Sequence, residues 1–373
     1  MVEFGQDAQL HAQGGRGSFH CTRIVVAPAV DEGRGQTCET WGSTVRTPCD
    51  DAGSRASRQP TLQTPGSMPP AAPRCSTADN GVTVTLPKLA ITGATGALGG
   101  RVARRLAECG VEQRLVVRDL STAPSLTGAT SVAAPSYADT RAMREALVDT
   151  RTLFLVSGRE AEDRLQQHYS AIEAAAGAGV ERIVYLSFVG AAPDATFTLA
   201  RQHYATEERI RAAGVRYTFL RSSLYADFVP SMTGEDLVIR GPAGAGKVAW
   251  ICRDDIAAVA TTILLAGDEH DGQTYDDTGP ESVSLAQTAE ILGRVVNREV
   301  TYHAESMEEA WESRKRYGAP AWEVEGWVTS YAAVAMGEMD VVSDAVETIT
   351  GRPAQDLESF LRANPTLWKQ FAG

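Results

Sequence analysis

The first 85 residues contain no lysine and no sustained apolar repeat at either the strand or the helical period. Gly, Pro, Ser, Thr and Arg dominate that stretch, so it lacks the apolar surface needed to offset the chain entropy of folding. Residues 1–85 are therefore expected to be either a disordered extension or an artefact of a start codon assigned too early, with translation then beginning near Met68 or Val82. Four cysteines lie there (Cys21, Cys38, Cys49, Cys75), but no signal peptide precedes them and their spacing fits no zinc-finger pattern. Both absences argue against a secreted disulfide module or a metal finger. Glu3, Asp7, Asp31, Glu32, Glu39, Asp50 and Asp51 make the stretch too acidic for an organelle transit peptide. No run of 18 apolar residues occurs anywhere in the chain, so no segment is expected to span a bilayer.

Positive charge is also scarce. Lys and Arg number 35 against 47 Asp and Glu, a net charge of −12. Residues 1–88 carry eight of each sign, so the whole excess falls on residues 89–373. An acidic surface disfavours nucleic acid and anionic membrane as partners. Only Cys109 and Cys252 lie in that part, which suits a reducing, cytoplasmic location.

What is present begins at Leu89. Leu89, Ala90 and Ile91 form a short apolar run, followed by Gly93, Ala94, Thr95, Gly96, Ala97, Leu98 and Gly99. Leu98, Val102 and Leu106 then repeat at helical spacing. Glycines at 93, 96 and 99 remove Cβ bulk where a strand turns sharply into a helix and a pyrophosphate approaches the main chain. The helix start supplies N–H donors and a favourable dipole for that anion.

From there, β-rich runs at 89–92, 114–118, 130–134, 152–157, 182–187 and 216–221 alternate with helical patterns at 97–109, 140–148, 161–177 and 198–213. Gly110, Gly179 and Gly214 close three of the helices. This alternation predicts an α/β fold, a Rossmann-type doubly wound parallel sheet over residues 86–225. Residues 226–373 are expected to form a smaller substrate or lid lobe, some of whose elements return to the sheet. Gly241 to Val248 nearly spells a P-loop, but Val248 stands where a magnesium-ligating Ser or Thr is required. A hairpin between Leu237–Ile239 and Val248–Ile251, followed by a helix capped by Asp254 or Asp255, is expected instead.

Arg118 ends the second strand, where an NAD site usually places an acid for the ribose diol. A guanidinium there suits the 2′-phosphate of NADP, although Asp119 follows directly and a shift of one residue would present its carboxylate.

Several passages taken together resemble an atypical short-chain dehydrogenase/reductase of the NmrA-like group, and within it the type 2 NAD(P)H:quinone oxidoreductases. They are Ile91 to Gly99, Arg164 to His168, Tyr185 to Ser187, His203 to Glu207, Tyr217 to Arg221 and Gly244 to Lys247. The resemblance implies an NADPH site built from Gly93 to Leu98, Arg118, Ser136 and Tyr137 beside the adenine, Ser157, Gly158 and Arg159, and Tyr185, Leu186 and Ser187. It implies a small, flat, aromatic or quinoid substrate.

One element common to short-chain dehydrogenases is missing. Where they carry Tyr-x-x-x-Lys, which activates a proton donor, this chain has Leu199 and His203. Isolated ketones should be poor substrates, whereas a quinone yields a stabilised hydroquinone anion that water can protonate. His203 is the candidate catalytic residue, as proton donor or as orienter of the nicotinamide ribose. His168 reads as structural. Arg221 and Tyr225 either line the substrate site or anchor the second lobe, and Trp311, Tyr317, Trp322, Trp327 and Tyr331 read either as a lid or as core. The same absence also fits a non-catalytic NAD(P) sensor acting on a protein partner, and a third reading is a specialised-metabolite reductase.

Overall fold

Strand β1 (Leu89–Thr92) is buried along its whole length, as a strand covered by helices on both faces must be. The computed structural model describes residues 88–371; the expectations for residues 1–85 concern positions outside the described residues. After β1 the chain turns through Gly93, whose φ of +64° favours glycine, into helix α1 (Ala97–Glu108). Then follow β2 (Gln113–Val117), β3 (Ala129–Ala133), α2 (Thr140–Ala146), β4 (Thr152–Leu155), α3 (Arg164–Gly177), β5 (Arg182–Phe188), α4 (Thr198–Ala212) and β6 (Arg216–Ser222). Every strand and helix expected between Leu89 and Gly214 is present within a few residues. The largest shift is α3, which starts at Arg164 rather than near 161.

Beyond β6 the elements are β7 (Val238–Gly241), β8 (Lys247–Val248), α5 (Arg253–Leu265), β9 (Thr274–Asp277), β10 (Val283–Ser284), α6 (Leu285–Val296) and β11 (Thr301–Ala304). Helices α7 (Met307–Arg314), α8 (Ala321–Ala335), α9 (Ala345–Thr350) and α10 (Leu357–Ala363) complete the chain.

Seven strands form one parallel sheet in the order β3-β2-β1-β4-β5-β6-β9. The order reverses between β1 and β4, and in such sheets a crevice for ligands opens at that point, beyond the carboxyl ends of the strands. On one face Leu98, Val102 and Leu106 of α1 and Ile256, Val259 and Ile263 of α5 cover Ile91, Leu115, Phe154, Val184 and Leu220. On the other face α2, α3 and α4 cover Ala90, Leu153, Leu155, Ile183, Tyr185 and Phe219. Thus α5 and β9, which lie beyond residue 226, complete the doubly wound layer. A third core joins α4, α6, α8 and α10 through Phe188, Phe197, Leu199, Ile239, Trp250, Leu292 and Phe360.

The expected hairpin does not form. Strand β7 pairs in parallel with β11, and β8 pairs antiparallel with β10. Two of the glycines that suggested a turn serve close packing: a Cβ on Gly241 would lie 2.2 Å from the Tyr331 ring, and one on Gly246 would lie 2.0 Å from the Val334 carbonyl oxygen. Nor do Asp254 and Asp255 cap α5. Its N-cap is Cys252, and the two acids sit in the first turn, where Asp254 meets Arg101 of α1 at 3.0 Å and Asp255 meets Arg352 at 2.6 Å. Tertiary partners for both carboxylates outweigh a local cap.

Candidate dinucleotide site

The carboxyl ends of β1 and β4 are stitched together before any ligand is considered. Thr92 Oγ1 accepts from the Val156 N–H at 2.9 Å and donates to the Phe154 carbonyl at 3.3 Å. Beyond this pair, Gly93 faces Val156 so closely that a Cβ at 93 would lie 3.1 Å from the valine side chain. The Gly96 N–H closes the turn on the Gly93 carbonyl at 2.8 Å. Gly99 lies against the turn itself, since a Cβ there would fall 2.3 Å from the Gly93 oxygen. Gly96 is the N-cap of α1, no side chain caps it, and the first turn holds no acid. The helix start over Ala97, Leu98 and Gly99 therefore keeps donors and dipole for an anion. Ala94 is buried beneath this turn and Thr95 is exposed on it.

Arg118 is exposed at the end of β2 and takes part in no hydrogen bond or ion pair among the described residues. The Asp119 carboxylate accepts the Ser121 N–H at 2.8 Å, capping a short 3-10 turn. That bond holds its pKa below the ordinary value. After β3, Ser136 accepts the Ala138 N–H at 3.1 Å, and the Tyr137 hydroxyl donates to the Val156 carbonyl at 2.8 Å. After β4 come buried Ser157, half-buried Gly158 and exposed Arg159. Gly93 to Gly99, Arg118, Ser136, Tyr137 and Ser157 to Arg159 thus lie along one edge of the sheet.

Tyr185, Leu186 and Ser187 differ. They are buried within β5 itself: Tyr185 packs in the α3/α4 layer, Leu186 in the α1/α5 layer, and the Ser187 hydroxyl donates to Glu207 of α4 at 2.6 Å. Their side chains are spent on helices, and their main chain runs in the ladder with β6.

His203 lies inside as well, about 1% exposed. Its Nε2 stands 3.0 Å from Arg164 Nη2, and a guanidinium can only donate, so Nε2 accepts. Nδ1 therefore carries the proton, directed at the Tyr185 oxygen 2.9 Å away. Burial, followed by the charge of Arg164, holds the His203 pKa well below its ordinary value. The ring is neutral with both nitrogens engaged, so a proton-donor role for His203 has no free proton to draw on. His168 is built the same way, with Nε2 accepting the Gly158 N–H at 2.7 Å and Nδ1 3.0 Å from Thr206 Oγ1. Burial depresses its pKa too.

Other candidates divide. Glu207 receives two hydrogen bonds from Arg221, at 2.9 and 2.6 Å, so Arg221 fastens β6 to α4. Tyr225 stacks on Phe228 under the Arg253 guanidinium, an anchor for the segment after β6. Trp327 and Tyr331 are core residues, whereas Trp311 and Tyr317 are 38% and 58% exposed and Trp322 is half-buried. Leu199 is buried in the apolar cluster with Phe188 and Phe197.

Sequence reasoning missed Gln202 and Thr206 of α4, which receive Arg164 and His168 of α3 respectively. A signal existed: Arg164/His168 and Gln202/Thr206 are each four residues apart, which places a polar pair on one face of each helix. Among the described residues no cluster of His, Cys, Asp and Glu could hold a metal ion, and no helix is long and apolar enough to cross a membrane.

A doubly wound parallel sheet with a glycine turn and an uncapped helix at its switch point defines a Rossmann-type α/β protein. The NmrA-like family model matches residues 86–344, and the chain belongs to that family. It is 30% identical over 279 residues to the NAD(P)H azoreductase of Xenophilus azovorans, an alignment covering 74% of this chain and 96% of the relative. The Escherichia coli NADPH-dependent quinone oxidoreductase QOR2, solved with NADPH, superposes with a TM-score of 0.68 at 30% identity, over 74% of this chain and 99% of that one. The triphenylmethane reductase of a Citrobacter species superposes with a TM-score of 0.66 at 29% identity and the same coverage.

Proposed function

We propose that this chain binds NADPH along the carboxyl edge of the sheet and passes hydride to a quinone or a similarly flat electrophile. The observation that carries the reading is the uncapped start of α1 behind Gly93 and Gly99 at the switch point. The residues fit the cofactor. Main-chain N–H groups from Ala97 to Gly99 suit a pyrophosphate, and Arg118 is free to pair a 2′-phosphate. Asp119, the competing acid for a ribose diol, is already committed to Ser121. Ser136 and Tyr137 stand on the adenine side, and Ser157, Gly158 and Arg159 line the next stretch of the edge. Bound there, NADPH would supply the hydride.

This chain's own residues then orient and exclude rather than protonate. Leu199 fills the place of the usual tyrosine, and neutral His203 orients Tyr185 and Arg164 instead of giving up a proton. Suitable acceptors are those that need no enzyme acid: a quinone, whose hydride adduct is a stabilised anion that water protonates, or a cationic dye neutralised by hydride alone. The partly exposed Trp311, Tyr317 and Trp322 offer ring surfaces of the kind that stack on such flat molecules.

The test follows NADPH absorbance during incubation with quinones, azo dyes and triphenylmethane dyes, alongside titration with NADPH and NADH. Turnover and tighter NADPH are expected. Arg118→Glu should lose about tenfold or more in NADPH affinity, because it replaces a phosphate partner with a like charge. Tighter NADH in the wild-type chain overturns the Arg118 assignment. NADPH binding without oxidation by any acceptor favours a sensor, the reading that the missing tyrosine and lysine also accommodate.

A further inference from the structure

We propose that Arg164 and His168 are positioning residues for the loop Ser157–Arg159, which they hold by grasping both main-chain polar groups of Gly158. The inference rests on the reading that this loop meets the cofactor. Arg164 Nε donates to the Gly158 carbonyl at 2.8 Å, and the Gly158 N–H donates to His168 Nε2 at 2.7 Å. The two side chains stand one turn apart on α3 and are almost wholly buried, at 1% and 0% exposure. Two buried long polar side chains devoted to one glycine are costly to desolvate, so their bonds must be satisfied together.

The grip is referenced to a second helix. Arg164 also donates from Nη1 to Gln202 Oε1 and from Nη2 to His203 Nε2, each at 3.0 Å. Thr206 Oγ1 donates to the Gln202 carbonyl at 2.8 Å and is therefore left to accept the His168 Nδ1 proton. Tyr137 completes the enclosure. Its hydroxyl holds the Val156 carbonyl, and its ring and His168 leave no comfortable room for a side chain at 158, where a Cβ would lie 3.2 Å from His168 Nε2 and 3.4 Å from Tyr137 Cδ2. Three elements thus fix a loop that would otherwise have to be ordered by its ligand, and ordering cost avoided is affinity gained. The grip requires a neutral imidazole, because a protonated ring cannot accept the Gly158 N–H.

His168→Leu removes the acceptor, and His168→Gln returns an amide oxygen close to the place of Nε2. NADPH dissociation constants and amide hydrogen exchange at residues 157–159 are measured for both and for the wild-type chain. His168→Leu should lose protection at Gly158 and weaken NADPH by about tenfold, the scale of one lost hydrogen bond of preorganisation. His168→Gln should recover both, although its thermal midpoint falls as far as that of the leucine variant. Arg164→Met, which frees the Gly158 carbonyl, should move both readouts in the same direction and serves if His168→Leu does not fold. Wild-type NADPH affinity in His168→Leu, or no recovery in His168→Gln, overturns the positioning role. A wild-type chain that binds no NADPH overturns the cofactor reading and this inference with it.

Discussion

Asp277 is wholly buried at the end of β9, and neither of its carboxylate oxygens has a hydrogen-bond partner among the described residues. Burial, and then the nearby Asp276 and Asp255, push its pKa well above the ordinary value. A group whose folded pKa is raised folds as the neutral acid. Its cost is absent below the unfolded pKa near 3.8 and grows as pH rises through that value toward the folded one. Asp277→Asn should therefore raise the thermal midpoint at pH 7, with the gain fading as pH falls to about 4. Midpoints by circular dichroism across that range check it, and an unchanged or lower midpoint at pH 7 contradicts it. The two buried histidines act in the opposite sense. Their depressed folded pKa values mean that the unfolded chain binds more protons, so stability is full above the unfolded value of 6.5 and is lost as pH falls below it. The midpoint of the wild-type chain should drop between pH 7 and 5. His203→Asn should flatten that drop while costing about 1–3 kcal/mol at pH 7, because a donor of Arg164 loses its acceptor.

At the scale of elements, the turn from β1 into α1 is the most rigidly specified. A methyl group at residue 99 has nowhere to go, since the Gly93 oxygen would be 2.3 Å from it and the Thr92 oxygen 2.9 Å. Gly99→Ala should destabilise the protein by roughly 1–3 kcal/mol through overpacking and weaken dinucleotide binding with it. Urea midpoints paired with NADPH titration would show whether both fall. This element was legible in the sequence because strand, turn and helix are contiguous and each glycine has a local steric reason. The α3/α4 polar network was only half legible. Residues Arg164, His168 and His203 stood out, but that α3 would close on Gly158 while α4 backs its Arg164 and His168 depends on the sheet that aligns the two helices. The hairpin between β7 and β8 shows the converse. Its glycines read as turn signals, yet two of them exist to admit Tyr331 and Val334, partners that no local pattern names.

Across the whole molecule, the two halves of the sequence share the core between α1 and α5. Helix α5 packs on α1, and β9 extends the sheet beside β6. A chain ending at residue 225 would leave Leu98, Val102 and Leu106 of α1 without the facing Ile256, Val259 and Ile263. Such a truncation should fail to fold cooperatively, and the full chain should lose helix signal and tryptophan emission in one transition over residues 88–371. Separate transitions would show that the C-terminal region folds on its own. The Rossmann class was readable from alternating short strands and helices, and the position of the crevice from the glycine turn. The return of later elements to the sheet was readable only in outline, because a four-residue strand carries too little pattern to reveal its partner.

By itself the sequence determined the layer order up to β6, the glycine turn and the family to which the chain belongs. These rest on local periodicity and on glycines whose reasons lie within a few residues. The tertiary structure decided what each polar side chain does. It committed Asp119 to its own turn and Arg221 to Glu207, and it buried His203 as a neutral ring. Charge state and hydrogen-bond partner depend on burial and on neighbours distant along the chain, which only the folded sheet brings within reach.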